Sequence, residues 1–491
     1  MRHHQIIQAR IIQGGMGIGV SGWQLAGAVA RAHGLGVVSG VALDTILVRG
    51  LQDGDEDGNL RRALSLFPDQ ELAAWVLARY FVPGGRGPGK PYRPIARLTL
   101  NPSLDRQRLA VIAAFVEVTL AKQAANGAAV GINLMEKVQL AVPAAAYGAM
   151  LAGVDAVLVG AGIPARLPWL LDSLSDHGRV EFPIDVVGAP QPHTLDFDPL
   201  ALIGPQPRAL SRPLFLAIVS SFTLASFLAR DGKTRPDGFV VEGAVAGGHN
   251  APPRGPLRLN ESGEPVYGPR DIPDPAQFVA LGLPFWLAGG FSKPEAVTAA
   301  LSMGATGVQV GTPFALARES GLSGSLRQAL LEHIANEDLE VRTDVRASPT
   351  SFPFKVAQLS GTLSDPAAYE ERPRVCDLSY LRVPCLDENG DVVYRCPAEP
   401  VDAYIRKGGA RSDTVGRVCL CNALTAAVGI AQQRPGGVTE SPIVTLGADV
   451  DGAMALLRQH PNGWGAADVM AYLTRSPIVA STGAPSMSLA V

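Results

Sequence analysis

The chain has 491 residues, of which 47 % are hydrophobic and 18 % charged, with a formal net charge of −3. That balance excludes a disordered polyelectrolyte and the basic surface that nucleic acid requires, so the expected partners are small molecules or other protein subunits. The length exceeds one ordinary core but suits a β/α barrel with insertions.

The opening stretch "MRHHQIIQARIIQGG" lacks the continuous apolar region of a secretory signal. No run of about 18 apolar residues follows that could span a bilayer. These observations predict a cytoplasmic protein without a membrane segment.

From residue 9 to 318, short β-branched runs end repeatedly in Gly, Ser, Asn or Pro. They are "ARIIQGGMG", "LGVVSG", "AVGINLM", "AVLVGAGIP", "LFLAIVSS", "GFVVEGAVAGGH", "FWLAGGF" and "GVQVGTPF". Ala- and Leu-rich stretches of helical length separate several of them, at 107–126, 142–153, 224–231 and 293–303. Near-continuous apolar strands alternating with helices are buried on both faces of a parallel sheet. Eight of them predict a closed (β/α)8 TIM barrel over residues 1–340; a doubly wound open sheet is the competing architecture.

Two stretches break the alternation and read as insertions on the barrel, about 51–100 and 176–212, the second with an extra strand in "VEFPIDVVG". The acidic "DGDEDG" is not a calcium loop, because the twelfth position counted from Asp53 is Leu64 where a bidentate carboxylate belongs. Arg61 and Arg62, in the same insertion after the second run, could reach the mouth of an active site; a solvated helix face is the plainer reading. Residues 341–491 change in texture and are expected to form a C-terminal extension packed on the barrel.

Barrel active sites gather at the carboxyl ends of the strands. "LAGGF" and "VGTPF" end the seventh and eighth runs, where backbone N–H groups commonly hold a phosphate. Gly289, Gly290 and Gly311 would let the backbone approach it, and the Thr312 hydroxyl could donate to it. "QGGMGIGVSG", after the first run, offers open backbone and one thioether, Met16, and suits a flat aromatic ring. It is not a dinucleotide fingerprint, since no βαβ acidic residue completes it. In "EGAVAGGHNAPPRG" two glycines deliver His249 into a proline-rich loop. An imidazole there can take a proton or hold an anion; a histidine that merely caps the loop is the plainer reading.

All five cysteines lie within 46 residues, spaced C-x8-C-x10-C-x22-C-x-C: Cys376, Cys385, Cys396, Cys419 and Cys421. Their odd number argues against a disulfide framework. Four thiolates could hold zinc or an iron–sulfur cluster, although no tight C-x2-C pair is present, and small buried hydrophobes are the alternative.

Taken together, "IIQGGMGIGVSGWQLAGAVA", "GINLM", "GVDAVLVGAGIP", "AGGHNAPPRG", "LAGGF" and "GATGVQVGTPFALARESG" resemble the nitronate monooxygenase (2-nitropropane dioxygenase) family over roughly residues 8–335. That family consists of FMN-dependent β/α barrels related to flavin enoyl reductases. The resemblance implies FMN, with Gln13, Gly14, Gly15, Met16, Gly17 and Asn133 near its ring system and Gly289, Gly290, Gly311 and Thr312 at its phosphate. It makes Gly248 and His249 part of a Gly-Gly-His motif facing substrate. The implied activity is oxidation of alkyl nitronates, or nitroalkanes, with O2.

The alternatives are an FMN-dependent enoyl-thioester reductase using NAD(P)H beside polyketide or fatty-acid synthesis, and a flavin-binding accessory protein. The chain departs from the family where many members carry Glu-Ala-Gly-Gly-His: Val245 takes the place of that Glu, and Glu242 lies three residues earlier. Arg254 is added near the mouth, to bind an anion or to brace the loop.

Overall fold

In a computed structural model, residues 6–475 are described apart from residue 207. The start of the stretch read for a secretory signal, residues 1–5, lies outside the described residues, as do residues 476–491 of the extension. Eight parallel strands form the central sheet: β1 (Ile11–Gln13), β2 (Gly36–Ser39), β3 (Val130–Met135), β4 (Ala156–Gly160), β5 (Leu214–Val219), β6 (Gly238–Glu242), β7 (Phe285–Ala288) and β8 (Gly307–Val310). Each pairs with the next, and β8 returns to β1 with Val308 opposite Ile11. A bridge between Ile12 and Leu35, with Gln13 N–H donating to the Leu35 carbonyl at 3.0 Å, joins β1 to β2 and closes the barrel. The eight strands are the eight runs read from the sequence.

Strand alternation sorts the side chains. Ile12, Val37, Leu158, Leu216, Val240 and Trp286 fill the barrel interior. Trp286 is fully buried, and its indole N–H donates to the Ala9 carbonyl at 2.7 Å, which closes the amino-terminal end. The opposite parity, with Ile11, Val38, Phe215 and Val241, faces the helices.

The helices that follow the strands are α1 (Trp23–Arg31), α2 (Leu104–Ala124), α3 (Val142–Leu151), α4 (Leu167–Ser175), α5 (Phe222–Arg230), α6 (Pro275–Val279) and α7 (Pro294–Ser302). Their starts obey capping chemistry: Ser103 and Ser221 accept from the Arg106 and Leu224 N–H groups at 3.2 and 3.1 Å, and Pro294 takes the first helical position. The helix that packs against both α1 and α7 is α8 (Ala466–Leu473), near the far end of the described chain. Between β8 and α8 lies most of the extension.

The first insertion carries helices Asn59–Leu64 and Gln70–Tyr80, and the second an antiparallel hairpin, Val180–Ile184 with His193–Phe197. The Asp55 carboxylate accepts from Leu60 N–H, Arg61 N–H and the Arg61 side chain, so the acidic stretch is a turn that starts a helix. Arg61 also stacks on Phe81, and Arg62 bonds Asn59; neither lines the barrel mouth. In the extension, Val341–Asp344 pairs with Phe354–Ala357 and Val383–Leu386 with Val392–Arg395. Ala357, Val444, Leu446, Leu456 and Trp464 share one apolar core with the barrel's outer face. No helix among the described residues is long and apolar enough to cross a membrane.

Candidate active site

The carboxyl ends of all eight strands open onto one cavity of about 250 Å³. Parity puts a ring of inward-facing residues on its floor: Ser39, Asn133, Gly160, Ile218, Glu242, Ala288 and Gln309. Of the residues singled out in sequence, Gly14, Gly15, Met16, Gly17, Asn133, Gly248, His249, Gly289, Gly290, Gly311 and Thr312 all line it. Gln13 does not. Its buried amide accepts from Val37 N–H at 3.0 Å and donates to Ser21 Oγ at 2.8 Å, and Ser21 Oγ in turn bonds Met16 N–H and the Gly14 carbonyl. Gln13 thus shapes the first glycine loop from behind.

The glycines fall into two kinds. A Cβ on Gly15 would sit 2.3 Å from Asn133 Cβ, one on Gly247 2.8 Å from the Leu446 carbonyl carbon, and one on Gly289 2.9 Å from Ala246 N, so protein packing demands these three. A Cβ on Gly248 would meet no atom within 4 Å, on Gly290 only Val245 at 3.8 Å, and on Gly14 nothing nearer than 3.6 Å. Packing does not require those three to be bare; a φ of +79° at Gly248 and +85° at Gly290 favours glycine at two of them, and of the three only Gly14 has neither reason. Gln309 Oε1, on the floor, is buried with no hydrogen-bond partner among the described residues. An orphaned acceptor beside a bare backbone cradle fits a planar ligand that brings its own N–H group. At one end, Gly289 and Gly290 hold φ of +86° and +85°, and Thr312 Oγ1 accepts from Gly447 N–H at 3.0 Å, leaving its own proton free for a ligand oxygen.

The extension completes the cavity. Gly248 N–H donates to Thr445 Oγ1 at 2.8 Å, Ala448 N–H to the Val245 carbonyl at 3.0 Å, and Lys355 N–H to the Gly248 carbonyl at 2.9 Å. Phe354, Tyr380, Cys421 and Asp449 also line the cavity. The Tyr380 hydroxyl is shared between Asp44 and Thr45, and Asp44 is held by Arg106 at 2.5 Å.

His249 lies in this wall with its ring 4.9 Å from that of Phe354. Its Nε2 is 2.7 Å from Ser348 Oγ. Burial first, and the nearby Lys137 ammonium second, push its pKa down to about 4. The expectation that this imidazole takes a proton is therefore weakened: the ring is neutral and a weak base, though still able to donate or accept a hydrogen bond. Glu242, to which the sequence reading gave no role, behaves in the opposite way. It shows no hydrogen-bond or ion-pair partner among the described residues, and burial pushes its carboxyl up to about 8. The signal that could have found it is its spacing, two residues beyond the inward-facing Val240. Gln309 and Ser348 were likewise missed, being single polar residues without a motif. Arg254 donates to the Ser220 and Arg270 carbonyls and braces its own loop.

The metal expectation is not supported. All five cysteines are free thiols, and no group of three or more His, Cys, Asp or Glu among the described residues is placed to hold a metal ion. Burial raises the thiols of Cys376, Cys385 and Cys396, and a hydrogen bond with Cys421 together with burial does so for Cys419, which keeps them protonated. Cys376, Cys396 and Cys419 lie close enough to act on one another and Cys419 bonds Cys421, while Cys385 lies in a hairpin whose strand bridges Val187; most of the linear cluster thus converges, without forming a metal site among the described residues.

The nitronate monooxygenase family model matches residues 210–351, which run from before β5 through the His249 loop to Ser351. Over 99 residues the chain is 40 % identical to a protein described as a probable nitronate monooxygenase of Bacillus subtilis (strain 168), covering 20 % of this chain and 26 % of that protein. Over 116 residues it is 28 % identical to the (3aS,4S,5R,7aS)-5-hydroxy-7a-methyl-1-oxo-octahydro-1H-indene-4-carboxyl-CoA dehydrogenase of Rhodococcus jostii (strain RHA1), covering 24 % and 29 %. These matches span less than a third of the relatives' lengths. The crystal structure of nitroalkane oxidase from Streptomyces ansochromogenes aligns over 96 % of both chains, at 16 % identity and a TM-score of 0.47. The resemblance read from the motifs is borne out across the segment that carries β5 to β8 and His249.

Proposed function

We propose that this chain is a flavin-dependent oxidoreductase of the nitronate monooxygenase type, binding FMN in the barrel mouth and oxidising alkyl nitronates with O2. The observation that carries the reading is Gly14, bare with neither a packing nor a backbone reason, beside the open backbone of Gly248 and Gly290 and the orphaned Gln309 acceptor. The family match over residues 210–351 supports it. Gly14 to Gly17, Asn133 and Gly248 would lie against the ring system, and Gly289, Gly290, Gly311 and Thr312 would hold the phosphate. When bound, FMN supplies the redox chemistry, taking electrons from the nitronate and passing them to O2.

His249 then positions the substrate. A neutral imidazole tied to Ser348 presents a hydrogen bond to a nitronate oxygen without needing to change charge. The apolar faces of Phe354, Ile218 and Leu381 exclude water around it, which strengthens each polar contact.

One observation favours a second reading. A neutral histidine donor also suits the carbonyl of an acyl thioester, and one similar protein is named for a CoA-linked substrate. An enoyl-thioester reductase using NAD(P)H is therefore the alternative, and a flavin-binding accessory protein the third case.

Anaerobic spectroscopy of the purified protein separates them. The flavin should bleach with propionate 3-nitronate, and this should slow strongly in His249→Ala. Bleaching by NADPH alone would move the assignment to the reductase, a flavin that neither reagent reduces would favour the accessory protein, and a protein that binds no FMN would sink all three.

A further inference from the structure

We propose that Glu242 is the general base of this site, taking the proton from the carbon next to the nitro group of a neutral nitroalkane and passing it to solvent through a second pocket behind it. The inference rests on reading the cavity as a nitroalkane and nitronate site.

Geometry carries it. Glu242 ends β6 with the inward parity of Val240, opposite Ala288 on β7, so its side chain reaches the cavity floor. The same residue lines a smaller, mainly polar pocket with Ser220, Asn250, Arg254, Tyr267 and Asp271. It is thus a shared wall between the substrate cavity and the surface loop of residues 250–271. Asn250 is buried, and its Oδ1 has no partner among the described residues, as a group that binds a relay water would be left. Among the described residues nothing neutralises or fixes the Glu242 carboxyl, which is costly for a structural acid and ordinary for a working one. Its raised pKa agrees, since a base is most effective when its pKa lies near the working pH. His249, held near 4, is the poorer base.

The step balances without an oxidant. The C–H bond breaks, its electron pair forms the C=N bond of the nitronate with charge on the nitro oxygens, and an O–H bond forms on Glu242. The proton then leaves to water in the outer pocket, and the nitronate is the species oxidised.

The test is hydrogen exchange of nitroethane in D2O, followed by proton NMR of its CH2 signal, with the full chain both free of flavin and loaded with FMN. Wild type should exchange in both forms, and Glu242→Gln should slow exchange about 100-fold, within the usual range for loss of a general base. His249→Ala should slow it less than Glu242→Gln does. In the loaded enzyme, Glu242→Gln should also lower the ratio of nitroethane to ethyl nitronate turnover, because the nitronate has already lost its proton. Exchange at the wild-type rate in Glu242→Gln, or no exchange by wild type, overturns the proposal. Should Glu242→Gln lose every activity, Glu242→Asp must recover part of the exchange, and failure to do so overturns it. A wild type that exchanges nitroethane but does not oxidise nitronate keeps the base and removes the functional reading beneath it.

Discussion

His249 Nε2 lies 2.7 Å from Ser348 Oγ, and that hydroxyl lies 2.8 Å from Thr350 Oγ1. The loop after β6 and the first hairpin of the extension are therefore joined through a side chain aimed at the cavity, and the backbone bridge between His249 and Phe354 fixes the same junction. Ser348 sets how the imidazole is presented.

Replacing Ser348 by Ala should leave FMN content unchanged and cost about 0.5–1.5 kcal/mol of stability, the usual net value of one hydrogen bond. Nitronate kcat/KM should fall roughly tenfold, about 1.4 kcal/mol of transition-state positioning, and Ser348→Thr should restore most of it. Equal kcat/KM in all three proteins would show that the contact is structural only.

The pH dependence of stability follows from two opposite shifts. Glu242 moves from 4.5 to about 8, so the folded flavin-free protein keeps a proton that the unfolded chain releases. That contribution is complete below pH 4.5 and is lost as pH rises to 8. Glu117 and Glu136, raised by burial to about 7, act in the same direction. His249 moves from 6.5 to about 4, so its contribution is present above 6.5 and lost as pH falls to 4. Between pH 6.5 and 8, Tm of the flavin-free protein should fall with rising pH, and the slope should be shallower in Glu242→Gln. Parallel slopes in thermal melts would show that Glu242 does not titrate there.

The barrel and the glycine loops were legible because both are local. An apolar run stopped by Gly is a buried strand, and a Gly pair after it marks open backbone, so eight strands and nearly every cavity glycine follow from short stretches of sequence. What was not legible depends on parity and on distant chain. Glu242 and Gln309 are single polar residues whose importance comes from facing inward. Thr445 and Tyr380 reach the cavity, and Ser348 reaches His249, only because the chain after β8 folds back over the mouth before α8 packs between α1 and α7. The cysteines misled for a different reason: most of them do converge, but at Cys376 burial and the neighbouring Cys419 thiol outweigh the nearby Arg382 and Arg97, which keeps the thiol protonated.

Protonated thiols with no metal-holding arrangement among the described residues imply a protein without bound metal. The purified protein should carry no stoichiometric zinc or iron, and dialysis against a chelator should leave Tm unchanged. One equivalent of either metal per chain by elemental analysis, with Tm falling on its removal, would contradict the placement of the thiols.

The two kinds of glycine can be told apart by substitution. Gly14 does not hold a positive φ, and a Cβ there meets no protein atom nearer than 3.6 Å, so Gly14→Leu should fold with little change in the Tm of the flavin-free protein. Its side chain would occupy the cradle, and FMN affinity should drop at least about tenfold, or 1.4 kcal/mol. Gly15→Leu, driven into Asn133, should instead destabilise the flavin-free fold. Undiminished FMN binding by Gly14→Leu would place the flavin elsewhere.

The chain after β8 also braces the turn at Thr312 and Pro313. Trp464, fully buried just before α8, donates its indole N–H to the Pro313 carbonyl at 2.8 Å, and its own carbonyl accepts from Arg318 N–H at 2.9 Å. Pro313 follows Thr312 in the cavity wall, so the indole fixes the turn whose hydroxyl would meet the phosphate. Trp464→Ala should cost about 3–5 kcal/mol through the cavity it leaves. Trp464→Phe keeps most of the volume but strands the Pro313 carbonyl, at about 1–3 kcal/mol. If the indole positions the turn as well as filling space, Trp464→Phe should weaken FMN binding by isothermal titration more than Val76→Ala, a buried change in the same apolar core on the Gln70–Tyr80 helix of the first insertion. Equal FMN affinities in these two variants would reduce Trp464 to a packing residue.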